Sequence, residues 1–190
     1  MYIRDLLSEA GITADYQHTE ILQLQEALAA ASKFQTGEHG KPDFIAVVNE
    51  YVLVIEDKAD RAKLCLKDSD GGISQAPEAV KNYAVNGAVW YARKILEHGA
   101  YTKIFAFGNA GDNKHHILQP VFVGADGVKE LDEIETFENF SPANIERYYR
   151  QKVLEEESPE ELQLENLRKK SRELHEHLRN YGGLRDTEKP

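Results

Sequence analysis

The stretch Pro42-Asp43-Phe44-Ile45-Ala46-Val47-Val48-Asn49-Glu50-Tyr51-Val52-Leu53-Val54-Ile55-Glu56-Asp57-Lys58 decides how the chain folds. It holds two apolar, β-branched runs, Phe44 to Val48 and Tyr51 to Ile55, parted only by Asn49-Glu50. Two such runs around a two-residue polar break predict a hairpin. Both runs are almost continuously apolar, so both strands are expected to be buried on both faces. Counted from the turn, Asp43 and Glu56 stand at equal distances, which sets them side by side. Side chains alternate along a strand, so Glu56 and Lys58 share one face and Asp57 takes the other. The hairpin therefore gathers two carboxylates and one ammonium at a single sheet end.

Two crowded carboxylates repel each other, and a cation relieves the repulsion. Oxygen ligands of this kind suit a hard divalent ion, Mg²⁺ above all, with Mn²⁺ as its substitute. Asp43 and Glu56 are the expected metal ligands, and the backbone carbonyl of Asp57 can supply a further oxygen. Such an ion polarises a phosphodiester and neutralises developing charge. Lys58 then orients the attacking water or offsets charge on the pentacovalent phosphate. Asp43, Glu56 and Lys58 are thus the expected catalytic residues.

Outward from the hairpin, Asp15 to Phe34 has Ile21, Leu24, Leu28 and Ala31 at helical spacing, with Thr19 as a cap for a late start. A loop over Gly37 to Pro42 follows. Beyond the hairpin, Lys67 to Ser74 is polar. Ala76 to Glu97 predicts one long helix, with Pro77 in its first turn and Gly99 at its end. Lys103 to Gly108 and His116 to Gly124 are expected strands, and Asp126-Gly127 a turn. From Pro142 to Glu157 and from Pro159 to Tyr181 the pattern is charged and helical. The order is that of an α/β domain with a mixed central sheet flanked by helices and a C-terminal helical tail.

Asp43, the 12-residue gap and Glu56-Asp57-Lys58 resemble the PD-(D/E)xK nuclease signature, and the order of elements over residues 15 to 125 resembles that family's restriction-endonuclease-like core. The closer resemblance is to the nuclease domains of restriction–modification enzymes, both Type I R subunits and fused Type IIG proteins. Gln25 to Lys33 leading into Gly40-Lys41-Pro42-Asp43-Phe44 is similar to the helix-to-strand entry of those domains. Leu174 to Pro190 is similar to the segment that opens an N6-adenine methyltransferase module. The resemblance implies a nuclease domain over residues 1–140 and a charged connector over 141–190, leading toward methyltransferase and target-recognition parts. It implies a DNA endonuclease acting on double-stranded DNA, leaving a 5′-phosphate and a 3′-hydroxyl, with dimerisation for double-strand cutting. It assigns Glu26 to the metal site, with Glu20 as runner-up, and Lys41 and Gln75 to substrate binding. Gln75 meets Ala79 four residues on, where Type I R subunits carry a tyrosine. Other readings are a repair nuclease or junction resolvase of the same superfamily, or a degenerate nuclease fold serving as an interaction module.

Composition narrows the classes further. The 190 residues are 41% hydrophobic and 29% charged, which supports a globular core. The formal net charge of -10 argues against a sequence-blind DNA coat, which would be basic. The basic run Arg168-Lys169-Lys170 with Arg172 is a candidate backbone contact. The lone Cys65 excludes an internal disulfide. His115 and His116 lack further ligands at zinc spacing. With no apolar run long enough to span a bilayer and no apolar leader, the expected location is the cytoplasm, away from membranes.

Overall fold

The computed structural model describes residues 2–29, 31–33, 38–157 and 159–185. The end of the helix expected to reach Phe34, the loop glycine Gly37 and the last residues of the segment ending at Pro190 lie outside them. The chain divides into two compact units, Met1–Tyr148 and Tyr149–Pro190.

The first unit is built on a six-stranded mixed sheet in sequential order. Its strands are β1 (Asp15–Tyr16), β2 (Phe44–Val48), β3 (Tyr51–Lys58), β4 (Ile104–Gly111), β5 (His116–Gly124) and β6 (Gly127–Glu130). All neighbours are antiparallel except β3 and β4, which run parallel. The parallel pair requires a crossover, and its helices are α3 (Pro77–Asn82) and α4 (Ala84–His98). The expected hairpin forms with Val48 opposite Tyr51 and Phe44 opposite Ile55. Asn49 takes the left-handed φ of 54° that a two-residue hairpin turn asks of it.

Both sheet faces are covered, as the unbroken apolar runs require. On one face Ile45, Val52, Val54, Ile104, Ala106 and Val121 meet Val85, Ala88, Val89 and Ala92 of α4. On the other, Phe105 and Phe107 meet Phe140 at ring-centroid distances of 5.0 and 4.8 Å. Phe140 also lies 4.6 Å from Tyr148 of α5 (Ile145–Tyr148). Tyr51 ties this layer to the hairpin by donating its hydroxyl to Glu146 Oε2 at 2.6 Å.

Several expectations need correction. Asp15–Phe34 is not one helix. Asp15 and Tyr16 pair with Ile45 and Phe44 as an edge strand, and Gln17 turns the chain with a φ of 55°. The helix α2 covers only Leu22–Leu28, and the Thr19 hydroxyl accepts the Ile21 N–H just before it. The long helix after Ala76 breaks at Tyr83, which is extended at φ -116° and ψ 139°. One extended residue leaves the spacing of apolar positions nearly intact, so periodicity cannot reveal it. The amphipathic first helix, α1 (Tyr2–Glu9), buries Ile3, Leu6 and Leu7 and was not among the expected elements. Pro142 to Glu157 holds only the short α5 and, in the second unit, a π-helical stretch at Tyr149–Val153.

The second unit also carries α6 (Pro159–Arg185), along which Leu164, Leu167, Leu174 and Leu178 are exposed. No helix among the described residues is long and apolar enough to cross a membrane.

Helix α4 lies unusually close to the sheet, and glycine permits it. A Cβ on Gly108 of β4 would stand 2.5 Å from both the backbone nitrogen and Cγ2 of Val85. Backbone cannot yield there as a flexible side-chain tip can. Gly108→Ala is therefore expected to lower stability by about 1–3 kcal/mol, the usual range for overpacking. Urea unfolding of the variant against the parent checks this, and an unchanged midpoint would contradict the close approach.

Candidate functional site

The hairpin register sets Asp43 beside Glu56, one step beyond the Phe44–Ile55 pair. Glu56 and Lys58 share the α4 face with Val52 and Val54, as strand alternation requires. The Lys58 ammonium lies 3.6 Å from Glu56 Oε2. Asp43 Oδ2 accepts the backbone N–H of Asp57 at 2.8 Å, which closes the open end of the hairpin with a side chain. Asp57 itself turns to the opposite face, where its Oδ1 accepts the Asn109 amide at 2.8 Å. The three residues expected to carry chemistry thus converge on one sheet end.

Glu56 is the unusual member. It is only 1% exposed, and α4 passes over it at Gly87. A Cβ on Gly87 would stand 3.3 Å from Glu56 Oε2. Burial raises the carboxyl's affinity for its proton, Lys33 opposes that rise, the nearby Asp43 adds to it, and Lys58 opposes it. The net direction is upward, because desolvation of a carboxylate this deep outweighs the two amines. Its Oε1 is buried with no hydrogen-bond partner. A buried acceptor left in that state is costly and calls for explanation.

Lys33 was not among the expected site residues, yet it makes the shortest contact in the cluster. Its Nζ lies 2.5 Å from Glu56 Oε2, and the lysine side chain is 11% exposed. The same ammonium sits 5.3 Å from the centroid of the Tyr91 ring. Tyr91 in turn accepts the Lys41 backbone N–H on its hydroxyl at 3.1 Å. Burial and the carboxylates of Glu56 and Asp43 hold the Tyr91 hydroxyl well above its ordinary pKa, so it stays protonated. A Cβ on Gly40 would stand 2.6 Å from this ring, so the Gly40-Lys41-Pro42 entry to β2 is laid directly on Tyr91. Lysine 23 residues before the glutamate it meets leaves no spacing signal. Its position on the approach to the hairpin was the only available hint.

The remaining candidates stand apart. Glu26 is 56% exposed, with its Oε2 3.6 Å from His98 Nε2. Leu24 and Leu28 turn inward, which leaves Glu26 on the outer side of α2, and no contact joins it to Asp43 or Glu56. Glu20 is exposed. Lys41 is exposed and lines a cavity of about 330 Å³ together with Gln17, His18, Leu28, His39 and Ile45. Gln75 donates to the Ser74 carbonyl at 3.1 Å, and its Oε1 is buried without a partner.

Asp43 and Glu56 offer hard oxygen donors, and the unpartnered Glu56 Oε1 is an acceptor that a cation would satisfy. Two carboxylates are the kind of donor that a hard divalent ion such as Mg²⁺ or Mn²⁺ takes. Among the described residues no group of three His, Cys, Asp or Glu side chains gathers as a metal cage.

Over 189 residues, 98% of the chain, the sequence is 38% identical to a protein of Heyndrickxia coagulans described as "Type II restriction enzyme and methyltransferase RM.BcgI". The match spans 30% of that relative's length, so the chain is similar to one part of a larger protein. No family model matches the chain. No solved structure matches it.

The upward shift of Glu56 has a stability consequence. A carboxyl whose folded pKa is raised above its ordinary value of 4.5 binds its proton more tightly when folded. Its contribution to stability is therefore present at low pH and lost as pH rises through the folded value. Glu56→Gln mimics the protonated form at every pH. With divalent ions chelated, the variant should gain on the parent as pH is raised above the ordinary carboxylate range, as read by urea unfolding. A variant that instead loses ground at the higher pH would show that the Lys33 ion pair outweighs burial.

Proposed function

We propose that this chain is the DNA-cleaving domain of a restriction–modification enzyme, a Mg²⁺-dependent endonuclease of PD-(D/E)xK type. The observation that carries the reading is the meeting of Asp43, Glu56 and Lys58 at one hairpin end, with the glutamate buried and one of its oxygens unpartnered. Similarity to a protein described as both restriction enzyme and methyltransferase favours this over a repair nuclease or a junction resolvase. It also supports double-stranded DNA as the substrate, with methyltransferase and target-recognition domains as partners.

Asp43 and Glu56 would hold the cation, and the Asp57 main-chain carbonyl is the further ligand proposed for it. The bound ion would act as a Lewis acid on the phosphoryl group and neutralise developing charge. Lys58 is tethered at the end of β3, beside Glu56, and projects from the same face. Its ammonium donates to the attacking water or to a phosphoryl oxygen, which fixes the line of approach. Water adds to phosphorus, the bond from phosphorus to O3′ breaks, and the departing oxygen takes up a proton. The products are a 5′-phosphate and a 3′-hydroxyl. Tyr91 stays protonated and holds the Lys41 backbone, so the entry to β2 that carries Asp43 is fixed from the helix side. One site per chain cuts one strand, so double-strand cleavage calls for two copies.

Sequence reading falls to other domains, because phosphate contacts alone carry no base information. The acidic total suits that division, with DNA held locally at the site and specifically elsewhere.

Nicking of supercoiled plasmid with Mg²⁺ or Mn²⁺ tests the reading. Lys58→Ala and Asp43→Asn should each slow nicking by about 100-fold or more, the scale lost with an electrostatic catalytic group. Circular dichroism would show that the fold persists. Cleavage as fast as the parent's by either variant would place the active site elsewhere.

A further inference from the structure

The four charged side chains of the site already balance one another. Asp43 and Glu56 are acids; Lys33 and Lys58 are amines. The corner is closed to water at its centre, with Glu56 1% and Lys33 11% exposed. A divalent ion added to this balanced set would leave two positive charges in excess in a poorly hydrated place. Buried charge in excess is strongly unfavourable, so one amine must give way or find new negative charge.

The two lysines are not equivalent in this respect. Lys58 belongs to β3 and pairs with Ala110 of β4, which fixes its backbone within the sheet. Lys33 belongs to no helix or strand. It follows α2 on a segment tied down at Ala31, whose carbonyl accepts the Trp90 indole N–H at 3.0 Å, and at Ser32, whose N–H reaches the Glu38 carbonyl at 3.2 Å. Lys33 also stands closer to Glu56 Oε2 than Lys58 does, at 2.5 against 3.6 Å. It is the amine nearer the buried carboxylate and the one whose backbone lies outside regular structure.

We propose that Lys33 is the resident counter-ion of the cation site, exchanging with the divalent ion at Glu56 and then serving the phosphate of the bound DNA. This rests on the nuclease reading and assigns that site a second amine. Without the ion, Lys33 compensates a buried carboxylate that would otherwise oppose folding. With the ion, the freed ammonium meets the charge that substrate brings. A pentacovalent phosphorane carries about two negative charges, so the two acids, the dication, both lysines and the phosphorane again sum to zero (about two, as charge-matched transition-state stabilisation requires). Lys33 is thus a positioning residue for Glu56 before the ion binds and a phosphate-contacting residue afterwards.

The test is Mn²⁺ binding to the full chain without DNA, read by electron paramagnetic resonance at one fixed pH for parent and variants. Lys33→Met should bind Mn²⁺ at least about fivefold tighter than the parent, the lower end of ordinary coupling between competing ligands. Lys33→Arg keeps the competing charge on a group that holds a carboxylate more firmly, and should bind Mn²⁺ no tighter than the parent. In the parent, acetylation of the Lys33 amine, read by peptide mass spectrometry, should rise when Mn²⁺ saturates the site. This second measurement needs no variant and stands if Lys33→Met fails to fold. Equal or weaker Mn²⁺ binding by folded Lys33→Met, or Lys33 acetylation indifferent to Mn²⁺, would overturn the exchange and leave the nuclease reading standing. Mn²⁺ binding that Asp43→Asn does not weaken would overturn the cation site itself, and the exchange with it.

Discussion

A carboxylate closed off from water at the end of a central strand is the constraint around which this domain is arranged. Glu56 lies under α4, where Gly87 leaves room for its oxygen and no more. Desolvation pushes it toward the neutral acid; two lysines pull it back. A purely structural design would place an apolar residue here, since buried ion pairs are seldom better than well-packed hydrocarbon. The neighbouring strand positions Val52, Val54 and Ile55 are fully buried and apolar, so the sheet could have continued in that vein. Keeping an acid, with one oxygen unpartnered, is the kind of local cost that functional sites impose on a fold.

The three residues of the signature were legible because a hairpin is a mirror. Once Asn49-Glu50 is taken as the turn, register and alternation follow, and with them the meeting of Asp43, Glu56 and Lys58. The burial of β2 and β3 on both faces was legible for the same reason: neither run has a polar face to give to water. The strands β4 and β5 announced themselves by their apolar content, and the crossover helix by its spacing.

What stayed hidden depends on long-range choice. Asp15 and Tyr16 carry no strand signal; they form β1 because the edge of β2 was free to accept them. Tyr83 interrupts a helix without disturbing the apolar period, because a single extended residue shifts that period little, and the first-turn Val85 N–H finds its partner in the Leu64 carbonyl. Glu26 was placed at the site by resemblance, but two leucines fix the rotation of a seven-residue helix and leave the acid facing outward, toward His98. Lys33 was missed for the opposite reason. Nothing local distinguishes it from any exposed lysine, and only the tertiary path of residues 31–33 over Tyr91 and Trp90 delivers it to Glu56.

These misses share a lesson about how such a site must be assembled. A signature names the groups that act on the substrate, because their spacing is tied to secondary structure. It does not name the groups that make those residues tolerable to the folded chain before any ion arrives. A domain with two acids at one strand end has to fold first, and ion pairing at that stage can come only from its own cations. A lysine brought from a distant, irregular segment meets this need without fixing the site permanently, since a contact held from outside the sheet can be surrendered without disturbing the sheet. Lysine suits the task better than arginine would: a single ammonium on a flexible stem can leave, whereas a bidentate guanidinium would hold the carboxylate by both oxygens. Glu56 keeps Oε1 free while Lys33 and Lys58 crowd Oε2. The carboxylate is therefore neutralised on one side and open on the other, the arrangement a transient cation requires.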